Sequence, residues 1–280
     1  MNELELKAAQ TLIELALTED VGDGDITTDN IIPAESRRKA KMIAKADGVV
    51  AGLPVAEMVF KSLDPQLKWV VLTPEGSRVK KGEVMVEFEG TYRALLTGER
   101  TALNFLQRLS GIATMSAKYA DAVKDFKTVI LDTRKTLPGF RMLDKYAVKT
   151  GGASNHRIGL YDMAMIKDNH IEVAGGITKA VNAVRSKIKP GIQIEVETTT
   201  LAQVQEAIDA GADIIMLDNM DTETMKKGVE LIAGRAKVEA SGNMTLERLR
   251  EVAATGVDFI SIGALTHSVS ALDISQRLED

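Results

Sequence analysis

The chain has no cysteine in its 280 residues. That excludes disulfides, a thiolate nucleophile and any zinc site built on cysteine, and it fits a reducing compartment. No apolar run approaches the roughly 18 residues that a membrane span needs. Residues 1–16 are amphipathic and carry Glu3, Glu5 and Glu14, unlike a secretory leader or a transit peptide. No Gly-x-Gly-x-x-Gly follows a strand pattern, which counts against a dinucleotide-binding fold. The three histidines form no His-x-x-x-His pair, so a helix-borne metal site is not indicated. A soluble cytoplasmic protein with no membrane or nucleic-acid partner is expected.

What the chain does contain is an uneven distribution of charge. The formal net charge is −5, yet residues 91–170 hold 13 Lys and Arg against 7 Asp and Glu. A cationic focus in an acidic body points to a small, multiply charged anion. A nucleic-acid binder is more often basic over a whole face. The hydrophobic fraction of 45% is ordinary for a globular chain, and the length allows one large domain or two smaller ones.

Apolar residues at helical spacing (Leu4, Ala8, Leu12, Leu15) predict a first helix over residues 3–17. Asp20-Val21-Gly22-Asp23-Gly24-Asp25 interrupts it with turn residues. Residues 38–90 read mostly as strands, at 40–46, 48–51, 68–72 and 84–89, with turns at Pro74-Glu75-Gly76 and Lys81-Gly82-Glu83. This pattern is compatible with a lipoyl- or biotinyl-type β-fold. No lysine sits at a hairpin tip beside Met or Asp, so the region reads as scaffold. A long helix is expected over 98–125.

From residue 128 short apolar runs recur, each ending in polar residues or glycine. They are Val129–Leu131, Met163–Ile166, Ile192–Val196, Ile214–Leu217, Ala236–Glu239 and Phe259–Ile262. A seventh is expected near Ala147–Gly151. Glu197, Asp218, Ser241 and Gly263 follow at spacings of 21, 23 and 22 residues, which suits β–loop–α units in series. Strands with polar C-terminal ends predict an α/β barrel, incomplete because eight strands are not found, with chemistry on the loops of one face. A doubly wound open sheet is the rival architecture.

The residues at those ends define the candidate site. Arg134, Lys135, His156, Arg157 and Lys167 lie at strand ends or in glycine-bearing loops, and Arg100 lies on the long helix. Arginine grips a carboxylate or phosphate with two parallel hydrogen bonds, and lysine acts as a point charge. Together they suit a dicarboxylate or a diphosphate. Glu197 and Asp218 end successive strands and could bind ribose hydroxyls, hold Mg²⁺ or face a developing cation; alone, each could equally cap the next helix. Ser241-Gly242-Asn243 and Gly263-Ala264 close the last two strands, where barrels often bind phosphate through backbone N–H groups.

These residues also carry a family resemblance over essentially the full length. The motifs are Glu19–Thr27, Gly98–Asn104, Asp132–Arg141, Gly151–Asp162, Lys167–His170, Glu195-Val196-Glu197, Leu217-Asp218-Asn219, Ser241-Gly242 and Gly263-Ala264-Leu265-Thr266-His267. In that order they resemble the quinolinate phosphoribosyltransferases, also called carboxylating nicotinate-nucleotide pyrophosphorylases. The resemblance implies an N-terminal α/β sandwich over residues 1–110. An open α/β barrel over 111–280 would follow, with a C-terminal tail able to pack back on the first domain. It implies transfer of a phosphoribosyl group from phosphoribosyl pyrophosphate to quinolinate, with loss of CO₂ and formation of nicotinate mononucleotide and pyrophosphate. Mg²⁺ is the implied cofactor and NAD synthesis the implied role. Arg134, His156, Arg157 and Lys167 resemble the quinolinate pocket, and Lys135 a pyrophosphate contact. Glu197 and Asp218 resemble the ribose and Mg²⁺ side, so Lys135, Lys167, Glu197 and Asp218 are the expected catalytic groups. Thr133, Ser241, Gly242, Asn243, Ile262, Gly263, Ala264 and His267 complete the expected substrate contacts, the later ones at the phosphate end. Arg100 resembles an arginine that reaches the neighbouring subunit's site, which implies a functional homodimer and leaves a hexamer open.

Two positions depart from the family pattern. Ala153 replaces a glycine before Ser154-Asn155-His156-Arg157, and Asn243 replaces a second glycine after Gly242. Other readings remain: a paralogue of the kind associated with molybdenum uptake, a nicotinate phosphoribosyltransferase, a Schiff-base aldolase using Lys167, and a non-catalytic anion binder.

Overall fold

The computed structural model describes residues 1–279; Asp280, the last residue of the expected second domain, lies outside them. The chain forms two compact units that are interleaved in sequence. The first comprises residues 1–117, 136–152 and 264–280, and the second 118–135 and 153–263. Residues 136–152 and 264–279 belong with the first unit because they supply it with a helix and a sheet strand.

In chain order the first unit begins with α1 (Glu3–Val21), α2 (Thr28–Ile31), β1 (Arg37–Ala44), β2 (Gly48–Val49) and α3 (Leu53–Leu63). It continues with β3 (Lys68–Val71), β4 (Arg78–Val79), β5 (Val84–Thr91), α4 (Tyr92–Thr97) and most of α5 (Glu99–Ala122). Later segments add α6 (Arg141–Thr150), α12 (Ala264–His267) and β12 (Ile274–Glu279). Asn2 starts α1 with a reciprocal cap: its side chain accepts the Glu5 N–H at 2.9 Å, and Glu5 accepts the Asn2 N–H at 2.7 Å. The main sheet runs β12-β1-β5-β3 and is antiparallel throughout. Its alternate residues Ala40, Met42 and Ala44 are buried, as a one-sided sheet requires. Phe60 of α3 meets Phe88 at 5.0 Å and Trp69 at 6.1 Å between ring centroids, which anchors the helix to β5 and β3.

Two sequence expectations are corrected in this unit. The stretch 38–90 is not mostly strand, because Leu53–Leu63 is a helix that buries Leu53, Val55, Ala56, Val59 and Phe60. The expected strand at Ala147–Gly151 is the end of α6. Leu143, Tyr146 and Ala147 are buried at spacings of three and four, which is one helical face. Gly151 stops that helix where any Cβ would strike the backbone carbonyl of Ala113 on α5.

The second unit contains β6 (Val129–Leu131), β7 (Ala164–Ile166), α7 (Asp168–Ala174), α8 (Ile177–Arg185), β8 (Ile194–Thr198) and α9 (Leu201–Asp209). It ends with β9 (Ile214–Asp218), α10 (Thr222–Ile232), β10 (Lys237–Ser241), α11 (Leu249–Ala253) and β11 (Phe259–Ser261). All six strands are parallel, in the order β6-β11-β10-β9-β8-β7. Read as a ring, that is simple chain order with one gap between β6 and β7. A doubly wound sheet would reverse direction partway along. The order is therefore that of an open α/β barrel. Thr200 and Asp221 cap α9 and α10 by accepting the Gln203 N–H (3.2 Å) and the Thr224 N–H (2.7 Å). These caps fix where each strand's polar end turns into its helix.

Candidate active site

Parallel strands in ring order bring their C-terminal ends to one edge, and the candidate residues gather there. Lys167 follows β7 and Glu197 lies near the end of β8; their side chains meet at 2.7 Å between Nζ and Oε2. Asp218 ends β9, with Met216, two residues before it, opposite Glu197 in the register. Burial, and next the Glu197 charge, push the Asp218 carboxyl above its ordinary value; Lys167 and Lys135 act in the other direction. Two carboxylates and two lysines thus share one neighbourhood.

The arginines form a second group. Arg134 and Arg157 are both half-buried. Burial, followed by the Arg134 charge, lowers the Arg157 pKa, so the guanidinium groups are close enough to repel. Arg157 Nη1 donates to the Met163 carbonyl at 3.1 Å, and Nη2 lies 3.6 Å from the Met165 sulfur. Arg134 Nε is buried and finds no hydrogen-bond partner. Thr133 Oγ1 accepts the Lys135 backbone N–H at 3.1 Å and shapes the turn that carries both cations.

His156 is held by protein groups at both ring nitrogens. Its backbone N–H donates to Asp132 Oδ1 at 2.8 Å, and its Nδ1 accepts the Arg157 backbone N–H at 2.7 Å. Nε2 lies 3.1 Å from Glu195 Oε2 and 3.3 Å from Glu239 Oε2, and both glutamates are fully buried. Burial works against a charged ring, but the carboxylates of Glu195 and Glu239 outweigh it and raise the His156 pKa. The two carboxylates favour a doubly protonated ring, but the Arg157 N–H 2.7 Å from Nδ1 leaves that nitrogen no room for a proton, so the contact geometry assigns the single ring proton to Nε2. Burial, together with the neighbouring Glu239 charge, raises the Glu195 carboxyl. Asp132 and Glu195 fall within the family motifs, yet neither they nor Glu239 were given a role from the sequence. The available signal was a charged residue set inside apolar strand runs, as in Val238-Glu239-Ala240.

The loops after β9 and β10 meet through left-handed residues. Asn219, Gly242 and Asn243 have φ of 53°, 86° and 50°. Asn243 Nδ2 donates to Asn219 Oδ1 at 3.2 Å, and the Asn219 N–H donates to the Ser241 carbonyl at 3.0 Å. Asparagine adopts this backbone conformation more readily than most residues, which explains how Asn243 replaces glycine here. Gly242 has no such latitude, because a Cβ would overlap the Asn219 side chain. Gly242→Ala is expected to cost about 1–2 kcal/mol. Thermal unfolding checks this as a Tm lowered by roughly 2–6 °C. Asn243→Gly keeps the backbone freedom and should change Tm far less. Ile262, buried after β11, donates its N–H to the Leu131 carbonyl at 2.9 Å and leads into Gly263.

Arg100, Ala264 and His267 belong to the first unit. Arg100 is exposed in the first turn of α5. His267 ends α12, with Nδ1 2.7 Å from Ser268 Oγ. His170 Nδ1 accepts the Lys167 backbone N–H at 3.0 Å, a reciprocal tie at the start of α7. Among the described residues, the metal-capable cluster of histidines and acids is His156, Glu195 and Glu239, and it includes neither His170 nor His267.

An open parallel barrel with cations and carboxylates at its strand ends defines an α/β-barrel enzyme for anionic substrates. Two family models cover nearly the whole chain: Quinolinate phosphoribosyl transferase, N-terminal domain, at residues 25–110, and its C-terminal domain at 112–277. The chain belongs to the quinolinate phosphoribosyl transferase family. It is 46% identical over 275 residues to the probable nicotinate-nucleotide pyrophosphorylase [carboxylating] of Bacillus subtilis, covering 98% of this chain and 94% of that one. Its counterpart in Synechocystis sp. is 48% identical over 265 residues, covering 94% and 90%. The crystal structure of NadC from Streptococcus pyogenes superposes with a TM-score of 0.93 at 41% identity and 97% coverage of both chains.

Proposed function

We propose that this chain transfers the phosphoribosyl group of phosphoribosyl pyrophosphate to quinolinate and releases CO₂, giving nicotinate mononucleotide and pyrophosphate for NAD synthesis. The observation that carries the reading is the half-buried pair Arg134 and Arg157, held together against their own repulsion. Two guanidinium groups with unfilled donor capacity match the adjacent carboxylates of a pyridine dicarboxylate. Lys167, which follows β7 and pairs with Glu197, supplies a third cation at the same edge of the barrel.

In this reading the pyridine nitrogen attacks ribose C1′ as the C1′–O bond to pyrophosphate breaks, and the leaving group takes that electron pair. Positive charge develops on the ribose, and Glu197 and Asp218 face it. Lys135 meets the departing pyrophosphate. The C–CO₂ bond at ring position 2 then breaks, leaving its electron pair on the ring carbon beside the cationic nitrogen, and a proton replaces CO₂. Arg134, Arg157 and Lys167 stabilise that electron density. The Ser241-Gly242-Asn243 turn and the Ile262-Gly263 segment offer backbone groups to the 5′-phosphate, with Ala264 and His267 following in sequence.

Mg²⁺ belongs to the proposal. Glu197 and Asp218 lie at the ends of adjacent strands, and the Asp218 carboxyl is raised first by burial and then by the Glu197 charge, a repulsion that a bound cation would relieve. An all-oxygen pair suits a hard cation that is shared with substrate phosphates and water. When bound, it would neutralise charge on the leaving pyrophosphate.

A homodimer, with Arg100 completing a neighbour's site, is the proposed assembly. Its support is an open apolar groove of about 630 Å³ beside Arg157, where Leu160 is 73% and Val173 91% exposed. A second copy of the chain would cover that face. The absence of cysteine supports a cytoplasmic location, and no helix among the described residues is long and apolar enough to cross a membrane.

The test is an assay with quinolinate, phosphoribosyl pyrophosphate and Mg²⁺ that follows CO₂ and nicotinate mononucleotide, with nicotinate in parallel. Product from quinolinate alone, lost with EDTA and restored by Mg²⁺, is expected. Product from nicotinate alone would overturn the dicarboxylate half of the proposal. No product from either would leave an anion binder.

A further inference from the structure

His156 and Arg157 sit in a segment, residues 155–157, with no helix or strand of its own. Such a segment holds an arginine in place only if something else fixes it. Three buried carboxylates do so. Asp132, the residue after β6, accepts the His156 backbone N–H at 2.8 Å. Glu195 of β8 and Glu239 of β10 reach the His156 ring from inside the sheet, at 3.1 Å and 3.3 Å from Nε2. The other face of the ring, at Nδ1, receives the Arg157 backbone N–H at 2.7 Å. The ring thus links two strands of the barrel to the peptide group of Arg157.

Both glutamates are 0% exposed. Apart from the ion-pair contacts to His156, their carboxylate oxygens have no hydrogen-bond partner. Two acids so placed are a poor way to gain stability, since apolar residues of similar volume would cost less to bury. Their position in the sheet explains them differently. Glu195 also acts electrostatically on Arg157, favouring its charge against the repulsion of Arg134.

We propose that Glu195 and Glu239 are positioning residues. They lock the His156 ring from within the barrel, and through it aim Arg157 at the dicarboxylate. The inference rests on the quinolinate pocket proposed above. It assigns His156 a supporting part, because both ring nitrogens face protein groups. Nε2 lies within ion-pair distance of both carboxylates without being aligned on either as a hydrogen bond, so a proton there sits between the two acids and holds the three groups together by charge. The same three side chains are a set that a metal ion could use, and the test below distinguishes the two.

The experiment uses the full chain with ¹⁵N-labelled histidine. His170→Asn and His267→Asn variants assign the His156 imidazole signals. The wild type should show a His156 ring with its proton fixed at Nε2, unchanged by EDTA. In Glu239→Gln and Glu195→Gln the ring should lose that single fixed state. In kinetics, KM for quinolinate should rise about 10- to 100-fold in either variant, the range for lost supporting contacts. KM for phosphoribosyl pyrophosphate should stay within about twofold, since a ground-state contact to one substrate is what changes. In a His156→Ala background, Glu239→Gln should add little, because a residue acting through His156 has nothing left to act on.

A proton at Nδ1 in the wild type, or a His156 signal that shifts with EDTA, overturns the proposal. So does an equal rise in KM for both substrates, or full additivity with His156→Ala. The wild-type spectrum decides the matter even if neither glutamine variant folds. If the wild type converts no quinolinate, the functional reading fails while the imidazole signal still reports on the clamp.

Discussion

Lys167→Met should lower kcat/KM for quinolinate by about 10²- to 10³-fold, the usual cost of removing one preorganised charge stabiliser from an active site. Methionine keeps the apolar stem and deletes the ammonium. The cost in stability should be small. Lys167 is exposed at the start of α7, and its side-chain pair with Glu197 at 2.7 Å is 46% exposed on the lysine side. Ion pairs this open contribute about 0–1 kcal/mol. The backbone tie from Lys167 N–H to His170 Nδ1 does not depend on the side chain. Activity and Tm should therefore separate: a large kinetic loss with a Tm within a few degrees of wild type. Near-normal turnover in this variant would remove Lys167 from the mechanism. A collapse of Tm alongside activity would make it a structural residue instead.

The largest expected loss of stability lies in the first unit, at Asp144→Ala. Asp144 is fully buried on α6, and Arg108 of α5 grips it with Nε and Nη2 to Oδ1 at 3.1 and 2.9 Å, and Nη2 to Oδ2 at 2.9 Å. Arg108 also lies over the Phe140 ring, 5.4 Å from its centroid, and Phe140 stacks on Phe105 at 5.6 Å. Burial raises the Asp144 carboxyl even with the guanidinium beside it, so the acid is already held at a cost. Deleting it strands the Arg108 charge in a mostly buried setting. Breaking a buried pair from one side costs about 3–5 kcal/mol. Thermal unfolding should show a Tm lower by roughly 10 °C or more. The double variant Arg108→Met with Asp144→Leu should recover much of that loss, since removing both charges removes the stranded one. A Tm unchanged by Asp144→Ala would show that the pair does not hold α5 and α6 together.

The barrel was largely legible in the sequence because parallel strands buried on both faces read as short apolar runs. Each of the six runs from Val129 to Ile262 overlaps a strand, and the ends at Lys167, Glu197, Asp218 and Ser241 share one edge of the sheet. The helix Leu53–Leu63 was hidden because its buried face is built from Val55, Val59 and Phe60, residue types that favour strands as much as helices. The expected strand at Ala147–Gly151 failed for the related reason that two adjacent buried residues, Ala147 and Val148, occur in either geometry. The strand Ile274–Glu279 went unmarked because Ser275, Gln276 and Arg277 give it little apolar alternation, and its pairing with β1 is long-range. At the site, the sequence yielded the residue types but not their pairings. Glu195 and Glu197 are two residues apart on one strand, yet one reaches His156 and the other reaches Lys167. Only the three-dimensional course of residues 155–157 separates their parts.

The pairing of β12 with β1 also sets a timetable for biosynthesis. The sheet of the first unit needs residues 37–44 and 84–91 from early in the chain, and residues 274–279 from near its end. At about 5–20 residues per second, the ribosome takes roughly 10–40 s to reach β12 after completing β5. Throughout that interval β1 presents an open edge with no native partner on one side. Arg37, Arg38, Lys39 and Lys41 lie along that strand. A row of like charges discourages pairing with a foreign strand, and so guards the edge until its own partner emerges.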